Sequence, residues 1–269
     1  MSARRPADCH DFSYDGYRII LERALALGYR LCCFEDFTPP ESQPVLLLRH
    51  DLDHSLRAAL PIAEMEAACS VRSTYFVQVT CDFYNPLGSE GRGVLGRLAQ
   101  LGHEIGLHYD SRRYAGIAQR SGPEAAERAL RLDVALVEDL AGRPVVSASQ
   151  HLPSDTSGFD VRAVLNHEAY EERFTSGRMA YVSDSLLAWR QATPHDLLDR
   201  RGSFQLLTHP AKWAAPVAGL SEFLHRALRE ECDALRERYE EIETHYADLL
   251  RRRDQLDAEF RARRWRDSR

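Results

Sequence analysis

The chain has 269 residues, 44% hydrophobic and 28% charged, which allows one large domain with a sizeable buried core. Its formal net charge of −6 argues against a general nucleic-acid binder, and no run of about 18 or more apolar residues supplies an integral membrane segment. The opening MSARRPADCHDFSYDGYRII lacks the apolar stretch of a secretory signal, so the expected compartment is cytoplasmic; there the six cysteines, without a C-x-x-C pair, read as reduced thiols with no assigned chemistry.

Taken in chain order, YRIILERALALG has helical spacing and feeds the short, strand-like YRLCCFEDF. VLLLRHDLDH then reads as a strand, SLRAALPIAEMEAAC as a helix, VRSTYFVQV as a strand, GVLGRLAQLGH as a helix and EIGLHYD as a strand. GPEAAERALRLDVALVEDLAG is the next helix, followed by strands in PVVSASQHLP, AYVSDSLLAW and GSFQLLTHP. Such alternation predicts parallel strands with crossover helices, hence an open α/β sheet or an α/β barrel. No GxGxxG or GxxxxGK[ST] follows any strand, which leaves dinucleotide and P-loop chemistry without support.

From about Ser221 the pattern changes. Leu228, Cys232, Leu235, Tyr239, Ile242, Tyr246, Leu249, Leu256 and Phe260 follow a 4-3 repeat, with one slot filled by Arg253. This predicts a long amphipathic helix that either packs on its own domain or pairs with a second copy in a homodimer. The expected boundaries are a domain over residues 1–220 and the helix over 221–269. Eight arginines against four acids in the last 19 residues suit a helix C-terminus.

Chemistry-bearing residues collect at the C-terminal ends of the expected strands, where α/β folds place their sites. Asp51 and Asp53, two apart, project to one face of a strand, and their mutual repulsion invites a cation. In GHEIGLHYD the two histidines, His103 and His108, are five apart, so they diverge on a helix and oppose each other on a strand; the helical zinc-protease reading fails. His108 and Asp110 are the better pair to point into a site. His151 and His209 each end a strand just before a proline, which cannot continue the ladder. An Asp with two His and an open position suits zinc or a similar divalent ion.

These residues resemble the motifs of the polysaccharide deacetylase superfamily, also called the NodB-homology family. LLRHDLDH looks like a variant of its T-F-D-D motif with the two acids separated by one residue, STYFV matches its A-T-F-F strand, GHEIGLHYDSR is close to G-H-E-I-G-N-H-T-x-S-H, and LLTHP looks like its final Leu-x-His. The resemblance spans roughly Tyr17 to Trp213 and implies an incomplete α/β barrel of about seven parallel strands, with the long helix appended. It implies Asp51 as catalytic base, Asp53 and His108 as metal ligands, and His209 as general acid oriented by Asp184, with Arg190 or Arg49 paired to Asp51. Arg112 stands where the family has its second ligand His, so His151 is inferred as the replacement.

The activity implied is divalent-metal hydrolysis, zinc first, of an N-acetyl or similar small acyl group on an amino sugar or sugar-containing precursor. Backbone N–H groups just after His151 are candidates to hold the developing oxyanion. Hydrolysis of another linear or cyclic amide, or a non-catalytic assembly role for the long helix, are the alternatives.

Overall fold

The structure, a computed structural model, describes residues 12–153 and 159–267; Cys9 and the stretch from Ser154 to Gly158 lie outside the described residues. The chain forms two compact units divided between Gly219 and Leu220. In the first, α1 (Tyr14–Ala26) leads to a short β1 (Arg30–Cys32), and then β2 (Val45–Leu52), α2 (Ala59–Ala68), β3 (Thr74–Val77), α3 (Ser89–Gln100) and β4 (Glu104–Tyr109) alternate. There follow α4 (Ser111–Ser121), α5 (Pro123–Ala141), β5 (Ser147–Gln150), β6 (His167–Glu168), α6 (Glu172–Thr175), β7 (Met179–Ser183), α7 (Pro194–Asp199) and β8 (Ser203–Thr208), ending in a 3-10 turn at Pro210–Lys212.

The strands are paired in parallel in the order β6-β5-β4-β3-β2-β8-β7. This is an incomplete α/β barrel, as the alternation and the motif resemblance imply. Strand β2 lies inside the sheet, flanked by β3 and β8, and all eight of its residues are buried. That explains its unbroken apolar start: a strand covered on both faces has no solvent side to mark with polar residues. Leu46 and Leu48 pack outward on Tyr17, Ile20 and Leu21 of α1 and Ile62 of α2. Val45 and Leu47 join Phe34, Phe76, Phe174 and Met179 in a separate interior cluster.

One edge of β2 is shared. Its first half pairs with β1, from Arg30↔Val45 to Cys32↔Leu47, and its second half with β3, from Arg49↔Thr74 to Leu52↔Val77. The chain leaves β1 beneath β3, where Phe34 N–H donates to Thr74 Oγ1 at 3.0 Å and Glu35 N–H to Glu104 Oε2 at 2.9 Å. Besides the four-residue α6, two short helices with side-chain caps, α4 and α7, fall where the sequence pattern predicts only connections. Each starts at a capping side chain: Asp110 accepts from Arg112 N–H, and Thr193 forms a capping box with Asp196.

The second unit is helical, but the single long helix expected from residue 221 onward is two segments, α8 (Leu220–Arg251) and α9 (Arg253–Asp267). Backbone bonds from Arg252 N–H to Asp248 O and from Leu256 N–H to Arg252 O, both 3.0 Å, run across the junction, so the break is a local irregularity. Within this unit Leu228, Leu235, Tyr239, Ile242, Tyr246 and Phe260 are exposed. Among the described residues no helix is long and apolar enough to cross a membrane.

Candidate active site

Parallel pairing carries the C-terminal ends of β2, β3, β4, β5, β7 and β8 to one rim, and with them Asp51 and Asp53, Gln78, His108, His151, Asp184 and His209. Interior positions along the strands form layers. Below the rim, Arg49 of β2 is fully buried and grips Asp51 with two bonds, Nε to Oδ1 at 2.9 Å and Nη2 to Oδ2 at 2.8 Å. Gln205 of β8 accepts from Arg49 Nη1 at 3.0 Å, and the Tyr170 ring lies 4.3 Å from the guanidinium carbon. Ser149 of β5 donates to Asp51 Oδ2 at 3.1 Å. Burial pushes the Asp51 carboxyl up, but Arg49, His108 and His209 together more than offset this and hold it below its ordinary pKa.

Asp51 and Asp53 share a face, as their spacing predicts. His108 Nε2 lies 3.8 Å from Asp51 Oδ2 and 3.0 Å from Asp53 Oδ1. His151 Nδ1 lies 3.1 Å from His108 Nε2 and 3.4 Å from Asp53 Oδ1. Asp53, His108 and His151 therefore each offer one ligand atom to a common point, all within 4.8 Å of one another. The chemistry of this donor set fits a divalent cation. His108 Nδ1–H donates to the Ser149 carbonyl at 2.9 Å, which leaves the lone pair of the neutral ring on Nε2, facing the carboxylate and the second imidazole. Three electron-pair donors converge where a cation is the natural complement. Burial opposes charge on Asp53, yet the facing histidines hold its carboxyl well below the usual range.

On the other side of Asp53, His209 Nε2 is 3.4 Å from Oδ2. Its Nδ1–H donates to Asp184 Oδ1 at 2.5 Å, and Asp184 Oδ2 accepts from His209 N–H at 2.8 Å and from Trp213 Nε1–H at 2.6 Å. Asp184 thus fixes the His209 tautomer and aims Nε2 at the site. Burial raises the Asp184 carboxyl, and His209 and Lys212 together outweigh it, lowering the pKa.

Some expected residues are elsewhere. Arg190 is exposed in the loop after β7, and the guanidinium on Asp51 is Arg49's. Asp110 does not join His108 at the shared point; it caps α4 and pairs with Arg112 at 2.9 Å. Having followed its strand register, the sequence reading misses it because a residue one past the strand end is free to turn away. His103 is on the outer face, donating from Nε2 to Ala63 O at 2.9 Å. Of the backbone following His151, Leu152 is described, in left-handed backbone at φ 51; Ser154 is outside the described residues.

The sequence reading also misses Gln78 and Ser149. Gln78 Nε2 donates to Asp53 Oδ1 at 3.4 Å. Both are short polar signals at ends of strands, in TYFVQ and SASQ, where alternation would place them inward with Asp51.

No protein-family model matches the chain, and no curated protein matches it. Solved structures do. One is a family 4 carbohydrate esterase from Bacillus anthracis, 15% identical, TM-score 0.38, covering 82% of this chain and 86% of that one. Another is the chitin deacetylase from the fungal pathogen Colletotrichum lindemuthianum, 15% identical, TM-score 0.39, covering 76% and 87%. A third is a CE4 family pseudoenzyme from Bacillus anthracis, 14% identical, TM-score 0.35, covering 74% and 66%.

Proposed function

We propose that the chain is a metal-dependent amide hydrolase that removes an N-acetyl or similarly small acyl group from an amino sugar or a sugar-containing precursor. The observation that carries this reading is the convergence of Asp53, His108 and His151 on one point between two further groups, Asp51 and His209, of opposite acid–base character. The motif resemblance to polysaccharide deacetylases implies the same parts for Asp51, Asp53, His108 and His209, and His151 is inferred in place of the second histidine, where Arg112 stands.

Asp53, His108 and His151 would hold the ion, zinc being the first to test. When bound, such an ion polarises an acyl carbonyl and acidifies water. Asp51, kept ionised by Arg49, accepts the proton of the attacking water. His209 enters protonated at Nε2 and delivers that proton to the leaving amine, while Asp184 stabilises the charged ring. Ser149 serves both halves: its carbonyl orients His108, and its hydroxyl supports Asp51.

Elemental analysis of the purified full chain and of His108→Ala, with acetate release from N-acetylated amino sugars, tests the reading. About one ion per chain, lost in the variant along with acetate release, is the expected result. A chain that takes up no metal on reconstitution, or a His108→Ala chain that releases acetate at the native rate, overturns it.

A further inference from the structure

The chain's 35 basic residues include a single lysine, Lys212. Every other fixed cation is an arginine, and most are placed against carboxylates or on the surface. Lys212 is instead buried, 4% exposed, at the end of the 3-10 turn that begins directly after His209. Its backbone N–H donates to His209 O at 2.8 Å, which ties it to the proposed acid.

The ammonium has three donors and no acceptor of its own. Among the described residues Nζ makes one hydrogen bond, to the neutral carbonyl of Ser185 at 2.8 Å, and no carboxylate forms an ion pair with it. Asp184 precedes Ser185 and is the acid at hand, but both its oxygens are engaged by His209 and Trp213. Asp184 acts on the ammonium through space but shares its charge with His209, and among the described residues two of the three ammonium donors stay unused; an anion that completes this shell recovers desolvation cost. Position adds to this. Ser185 follows the end of β7 and Lys212 the end of β8, so Nζ lies at the catalytic rim beyond His209, on the side away from the β4 and β5 histidines.

We propose that Lys212 is the binding residue for an anionic substituent of the substrate, a carboxylate or a phosphate, carried on the sugar residue that bears the leaving amine. This rests on the reading above and narrows its substrate class: the N-acylated sugar is an acidic one.

The test is calorimetric titration of the zinc-loaded full chain with N-acetylglucosamine, its 6-phosphate and N-acetylglucosaminuronic acid. All chains titrated carry Asp51→Asn so that bound sugar is not consumed. A charge-assisted contact predicts about tenfold tighter binding of an acidic sugar than of the neutral one. That preference disappears in Lys212→Met and is at least partly restored in Lys212→Arg, a rescue that a packing role does not give. The phosphate and uronate arms identify which anion is preferred. Equal affinity for all three sugars, no binding of any of them, or a preference that survives Lys212→Met overturns the proposal, and the first two need no Lys212 variant to fold. Acetate release, measured on chains retaining Asp51, separates the two readings. Charge preference without acetate release removes the deacetylase reading alone; acetate release without charge preference removes the Lys212 site alone.

Discussion

Asp51 accepts a proton only while it is ionised, and Arg49 secures that state with a two-point grip inside the barrel. Replacing Asp51 with Asn keeps the shape and removes the acceptor, so turnover should fall by about 10²–10⁴ while bound metal stays near the native level. Elemental analysis and acetate release on one preparation check both halves. Asp184→Asn should also lower turnover with metal retained, because the amide no longer stabilises a charged His209; an unchanged rate would remove Asp184 from the acid. Much of this was legible in the sequence. Asp51, Asp53, His108, His151 and His209 could be named because a parallel fold sends strand ends to one place. Their supports were harder to read. Arg49 and Ser149 are 100 residues apart and touch only because β3 and β4 space their strands in a fixed register, and a loop residue such as Arg190 has no register to place it.

At the scale of elements, β4 shows how tightly the strands are fitted. Gly106 faces the interior, where an added Cβ would press on the Phe76 ring and come within 2.8 Å of Ser147 Oγ. Gly106→Ala should destabilise the fold by about 1–3 kcal/mol through overpacking, read as a lower urea midpoint with an unchanged slope. The outer face is joined differently. Glu66 of α2 is fully buried and accepts from Tyr17 at 2.5 Å, Ser73 at 2.6 Å, Tyr75 at 2.8 Å and His50 Nε2 at 2.9 Å, binding α1, α2, β2 and β3 at one carboxylate. Apart from the two-residue β6, the strands and longer helices were legible from periodicity. This junction was not, because EMEA reads as an ordinary solvated turn of helix and nothing local marks Glu66 as the residue that turns inward. Likewise α4 and α7 owe their existence to caps and packing more than to an apolar stripe.

For the whole molecule, the same carboxylate sets a pH limit. Burial pushes Glu66 up, but His50 and the surrounding donors prevail and hold it at about 2, against an ordinary 4.5. A depressed acid stabilises the folded state above its unfolded pKa and loses that contribution as pH falls through the folded one. About 3 kcal/mol should therefore be present at neutral pH and fade between about 4.5 and 2. Urea titrations across that range check it: the fall should be steeper in the native chain than in Glu66→Gln. A stability that does not change down to pH 2 would rule this account out. The floor of the barrel has a further consequence. β1 and Phe34 pack with Phe76 and Phe174 under the ionic layer and fill the end opposite the rim, so the proposed site faces the rim. Under the proposed function, the deacylated sugar and fresh substrate compete for that one face, and the expected kinetic signature is competitive inhibition that grows as product accumulates.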